Sequence, residues 1–162
     1  MKTLLTLFRS FWNENGPIIT DSLGKYKEAI PQLILQVFLQ RIVNGGGYIN
    51  REYALGRKRT DIMIKWKYPP TPNSQLPTPN SQLPTPNYQN IVLEIKTINK
   101  KQSYQTIKAT GLEQTAEYAR LCGVKEAQLL IFDKDKHQKW AENEPNEIEE
   151  CDGVKIEIWK FK

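Results

Sequence analysis

A heptapeptide, Pro-Thr-Pro-Asn-Ser-Gln-Leu, stands twice in succession at residues 70–76 and 77–83, and its first four residues return at 84–87. Proline removes a backbone donor and clashes with the preceding helical turn, so neither a helix nor a central strand can run through this tract. The repeat also lacks an apolar face, and its period of seven therefore makes no coiled coil. Residues 68–90 are expected to be a disordered, extended insertion in a loop that tolerates length. A core must then be assembled from the two blocks on either side, within a 162-residue chain that is long enough for one domain.

In the first block, Leu4, Leu5, Phe8, Phe11 and Trp12 recur at helical spacing, and Asn15-Gly16-Pro17 is expected to end that short helix. Its apolar face requires a cover. A second helix is expected over about 23–43, with Ile30, Leu33, Ile34, Val37 and Phe38 on its stripe. Pro31 lies inside that pattern, so this helix either starts there or is kinked there. The period then changes to two. Tyr48–Ala54 and Arg59–Trp66 alternate and predict strands.

In the second block, Ile91–Ile98 is an apolar strand, Leu112–Leu121 a helix ended at Gly123, and Ala127–Phe132 a buried strand. Residues 134–152 read as a polar loop anchored by Trp140, and Val154–Phe161 as a last alternating strand. This order predicts an α/β fold, a mixed central sheet flanked by helices, with a meander start and a helical crossover.

The net charge of +5 and pI near 9.1 favour a polyanionic partner. Cys122 and Cys151 have no metal-like spacing, and the lone His137 excludes a multi-histidine zinc site. The N-terminal apolar run is too short for a signal peptide and is broken by Arg9. No run reaches membrane-spanning length. A cytoplasmic protein with no membrane partner is expected.

Two charges break the apolar strand 91–98. Glu94 and Lys96 are two residues apart, so they share a face. Asp61 breaks the preceding strand in the same way. A charge in such a strand is costly unless it is paired, exposed or coordinating a cation. If the two strands form a hairpin with the repeat at its tip, Asp61 and Glu94 approach each other, and a hard cation such as Mg²⁺ or Mn²⁺ would relieve their repulsion. Lys96 beside them would hold a phosphate or orient water. The plainer reading is an ion pair on an edge strand.

With these residues in view, the chain resembles the PD-(D/E)XK nuclease superfamily. Gly56-Arg57-Lys58-Arg59-Thr60-Asp61 is similar to its second motif and Val92-Leu93-Glu94-Ile95-Lys96 to its Glu-x-Lys motif. Gly111–Tyr118 and Leu129–Asp133 resemble the helix and strand that follow. More narrowly, Phe38–Gly47 and Arg51–Arg57 resemble the nuclease-like domain found C-terminal to the ATP-binding domain of bacterial ATPases. The resemblance implies a restriction-endonuclease-like core over 23–162. It also makes residues 1–22 a helical remnant of a preceding domain.

It further implies metal ligation by Asp61, Glu94 and the Ile95 carbonyl, with Lys96 and Gln114 as catalytic partners. Glu28 is the candidate acid from the first helix, with Gln32 and Gln36 as alternatives. Arg57, Arg59 and Lys101 are candidate phosphate contacts. The expected activity is Mg²⁺-dependent hydrolysis of a nucleic acid, DNA in the first instance. The alternative is a catalytically weak nuclease-fold module serving an ATPase partner. No nucleotide-binding Gly-x-x-x-x-Gly-Lys-Ser/Thr loop occurs in the chain.

Overall fold

The computed structural model describes residues 1–22, 29–43, 46–55, 58–67, 88–98, 102–133, 140 and 146–162. In chain order these form α1 (Lys2–Ser22), α2 (Ile30–Val43), β1 (Gly47–Leu55), β2 (Lys58–Lys67), β3 (Tyr88–Ile98), α3 (Tyr104–Leu121), β4 (Glu126–Asp133), β5 (Glu147–Cys151) and β6 (Val154–Phe161). The strands make one mixed sheet in the order β1-β2-β3-β4-β6-β5. β1, β2 and β3 form the antiparallel meander expected from the sequence. α3 then carries the chain across, so β4 lies parallel to β3, and β6 lies parallel to β4.

The period of two sorts side chains onto two cores. On one face Met63, Val92, Leu129 and Ile131 pack with Ala116 and Ala119 of α3. On the other, Ile62, Ile64, Leu93, Leu130 and Phe132 pack with Leu5, Phe8 and Trp12 of α1 and Leu35 and Leu39 of α2. α3 starts at Ser103, whose side chain accepts from the Thr106 N–H at 3.2 Å as an N-cap. It ends where Gly123 takes a φ of +67°, a conformation glycine adopts without cost.

The first helix differs from its sequence reading. α1 runs through Asn15-Gly16-Pro17 to Ser22. The Trp12 indole lies across Gly16, where a Cβ would sit 3.0 Å from the ring. Gly16 thus serves packing rather than termination. The apolar stripe of α1 also finds its cover within the chain. Trp12 stacks edge-on to Phe132 at 4.8 Å and its Nε1–H donates to the Lys162 carbonyl at 2.6 Å. The Arg9 guanidinium lies 4.7 Å over Trp159.

β5 departs from the sequence reading, in which residues 134–152 form a loop. Glu147-Ile148-Glu149-Glu150-Cys151 is an edge strand in which cations hold Glu147 and Glu149. Lys108 bonds Glu147 at 2.5 Å and also reaches Glu149, and Lys160 bonds Glu147 at 2.6 Å. Asp152 and Gly153, both at positive φ, form the two-residue turn that returns the chain to β6. Trp140 is buried, as expected for an anchor. β3 begins at Tyr88, three residues before its apolar run, so Tyr88–Asn90 belong to the sheet. The repeat proper lies outside the described residues.

Candidate active site

The site follows from where β2 and β3 stop pairing. Their register runs from Lys67↔Tyr88 to Ile62↔Leu93. One residue further, continuation of that register sets Asp61 opposite Glu94. Alternation puts Asp61 on the face of Met63, and Glu94 and Lys96 on the face of Val92 and Ile98. That is the face under α3.

Beyond Ile62 the Asp61 side chain takes over from the backbone ladder. The Ile95 N–H donates to Asp61 Oδ2 at 2.8 Å. A strand residue's N–H and C=O leave on the same side, so the Ile95 carbonyl also faces β2. Asp61 is fixed from α2 as well, where Gln32 Nε2 donates to its backbone carbonyl at 3.2 Å. Neighbouring Thr60 is fully buried, and its hydroxyl donates to the Leu93 carbonyl at 3.4 Å.

Glu94 is only 3% exposed. Its Oε1 accepts from Lys96 Nζ at 2.8 Å, while its Oε2 is buried with no hydrogen-bond partner. Burial, followed by the charge of Asp61, pushes its carboxyl up to about 7 against the pull of Lys96. Burial also raises Asp61, although the Ile95 N–H and Lys96 oppose it. Lys96 supplies one positive charge to these two buried acids, and a further cation would relieve the remainder.

Gly111 brings α3 down on this strand: a Cβ there would meet both methyls of Leu129 at 2.9 Å and Lys96 Cγ at 3.4 Å. Gln114, one turn on, has a buried Oε1 with no partner. Tyr118 follows on the same helical face, its phenol raised by burial and then by the charges of Glu94 and Asp61. Asp61, Glu94, Ile95 and Lys96 thus meet at one point, with α3 and Gln114 above that strand. Of the other sequence candidates, Glu28, Arg57 and Lys101 lie outside the described residues, and for Arg59 only the backbone is described.

Sequence reading missed Glu52. The pairs Arg51↔Ile62 and Tyr53↔Thr60 bracket it directly across from Asp61. Its φ of +49° is uncommon for a non-glycine residue, and its charge contributes to raising Asp61. Three acids therefore stand in register across β1, β2 and β3. Glu52 is half exposed and touches Arg51 at 3.4 Å. Nothing in the alternation of β1 marks this acid before the strand pairing is known.

Among the described residues no group of three or more His, Cys, Asp and Glu forms a ready-made metal cluster. The oxygen set of Asp61 and Glu94, with the Ile95 carbonyl beside them, nevertheless fits a hard divalent cation in donor type. The orphaned Glu94 Oε2 is an available ligand atom. Fold and site together define an α/β protein with a six-stranded mixed sheet and an acidic centre beside a lysine at the point where two strands part. Compared with known proteins, the chain matches no family model, no curated protein and no solved structure.

Proposed function

We propose that this chain is a nuclease of restriction-endonuclease-like fold that hydrolyses phosphodiester bonds, in DNA first, with Mg²⁺ or Mn²⁺ bound at Asp61 and Glu94. One observation carries the reading. Glu94 is buried against Asp61, and its Oε2 makes no hydrogen bond among the described residues. Lys96 offsets one charge of the acidic pair, and a divalent cation would offset the rest.

The bound cation would supply Lewis-acid stabilisation of a phosphoryl oxygen and of its attacking water. The chain's own residues do the rest. The Ile95 N–H holds Asp61 Oδ2 in place and leaves the carboxylate aimed across the strand gap. Lys96, held on Glu94 Oε1 in this structure, would serve the non-bridging oxygens of the phosphate, where negative charge grows in the transition state. The Gln114 amide above the strand orients water or substrate through its free Oε1. The α1 stripe that favoured a module docked on an ATPase has its cover within the chain, where Leu5, Phe8 and Trp12 are buried.

Calorimetric titration with Mg²⁺ or Mn²⁺ tests the centre directly. The wild-type chain should bind one cation per molecule, and Asp61→Asn and Glu94→Gln should abolish that binding. Wild-type protein should nick plasmid DNA in Mg²⁺ and Lys96→Ala should not. No metal binding by the wild-type chain, or equal nicking by Lys96→Ala, refutes the assignment.

A further inference from the structure

The site's own face of the sheet continues past the end of α3 into a surface that the chemistry above leaves unused. Lys65 and Lys67 follow Asp61 and Met63 on β2 at the same alternation, and Asn90 and Tyr88 flank them on β3. Tyr48 of β1 stands opposite Lys65. All five therefore share the face under α3.

α3 stops here. Asn90 Nδ2 donates to the carbonyl of its C-cap, Cys122, at 3.4 Å. Beyond that cap, among the described residues, Tyr48 is 62% and Tyr88 42% exposed. Their ring centroids lie 6.1 Å apart across β2, with the planes tilted by 53°. A cross-strand aromatic pair stabilises a sheet without needing to show its rings to solvent. Here two exposed rings stand beside two lysines, in a chain of net charge +5. Lys65 lies four strand residues from Asp61, about 13 Å along β2, and Lys67 about 20 Å.

We infer that Tyr48 and Tyr88, with Lys65 and Lys67, form a binding platform for single-stranded nucleic acid at the end of the sheet beyond α3. Exposed aromatic rings stack on the faces of unpaired bases, which a duplex hides, and adjacent ammonium groups neutralise the phosphates between them. The charge selects a polyanion, and the exposed rings select unpaired bases over a double helix. The platform is a claim about binding alone and stands apart from the nuclease reading.

The test is fluorescence anisotropy with the full chain in EDTA, so that no cleavage intervenes. The probes are a labelled oligo-dT of about a dozen nucleotides and a hairpin duplex of similar length. Oligo-dT should bind more tightly than the duplex. Tyr48→Ala with Tyr88→Ala should weaken it by roughly 5- to 150-fold for each ring removed, and Tyr48→Phe with Tyr88→Phe should restore it. Lys65→Gln and Lys67→Gln should each flatten the slope of log affinity against log salt by about 0.7. Oligo-dT binding that the alanine pair leaves unchanged, tighter binding of the duplex, or no binding at all overturns the platform. Mg²⁺ binding and plasmid nicking are read separately. Platform binding without Mg²⁺-dependent cleavage would sink the nuclease reading alone, and cleavage with unaffected alanine variants would sink the platform alone.

Discussion

Glu94→Gln should make the metal-free protein more stable while removing its activity. Glu94 ionises at about 7 in the fold, raised from 4.5 chiefly by burial and then by Asp61. A raised acid stabilises the fold in its neutral form: that contribution is complete below about pH 4.5 and is lost as pH rises through 7. The rise from 4.5 to about 7 corresponds to roughly 3 kcal/mol at pH 8. Glutamine has the same shape and never ionises, so it should recover most of this, about 6–12 °C in melting temperature for a domain of this size. At pH 5 the advantage should shrink to about 1 kcal/mol or less, since the wild-type carboxyl is then protonated in the fold. Melting curves read by circular dichroism at the two pH values in EDTA decide the matter. Saturating Mg²⁺, at about a hundredfold over its Kd, should return about 2.7 kcal/mol to the wild type and nothing to the variant. A variant no more stable than wild type at pH 8, or a gap that does not change with pH, would show that Glu94 is not held against its own charge.

Two further outcomes follow from the packing around the site. Burial opposes the charged form of Glu147, yet hydrogen bonds from Lys108, Lys160 and Tyr104 lower its carboxyl to about 2. This stability is present above about pH 4.5 and lost toward pH 2. Because the side chain is 31% exposed, solvent screening reduces the contribution to roughly 1–2 kcal/mol. Urea denaturation of Glu147→Gln should show that deficit at pH 6 and convergence with wild type near pH 2; a constant gap would refute it. Gly111→Ala forces a methyl against Leu129 and Lys96. Overpacking costs about 1–3 kcal/mol and better helix propensity returns about 1, so a net loss of up to ~2 kcal/mol is expected, with slower cleavage as Lys96 is displaced. Unchanged kinetics would mean that α3 does not position the lysine.

What the sequence disclosed followed the strength of its periodic signals. Leu129-Leu130-Ile131-Phe132 and Arg59–Trp66 announced strands because their side chains feed the two cores. The helix–strand–helix order around them then left few ways to arrange the sheet. Where stability comes from polar contacts, periodicity fails. β5 is held by Lys108 and Lys160 on its acids, and those cations lie on an earlier helix and a later strand. The usable mark was local, since Asp152-Gly153 ahead of an alternating strand signals a hairpin. α1 erred the other way: Asn15-Gly16-Pro17 carries a stop signal, yet the helix continues to Ser22, with Trp12 lying over Gly16 one turn along.

The acidic centre was legible for an energetic reason that applies to neither error. Asp61, Glu94 and Lys96 stand beside Met63, Val92 and Ile98 on the face packed against α3, and no polar group is placed there without cost. Glu52 escaped because it sits on an exposed stretch where an acid costs nothing, and only the register across β1 and β2 brings it opposite Asp61. A misplaced charge in a core strand can thus be read from one sequence segment. A charge that becomes significant through its neighbour on the next strand needs the pairing first. If Glu52 does assist at the cation, Glu52→Gln should lower Mg²⁺ affinity with little change in stability, whereas Glu94→Gln changes both. An Mg²⁺ affinity in Glu52→Gln equal to wild type would assign the site to Asp61 and Glu94 without it.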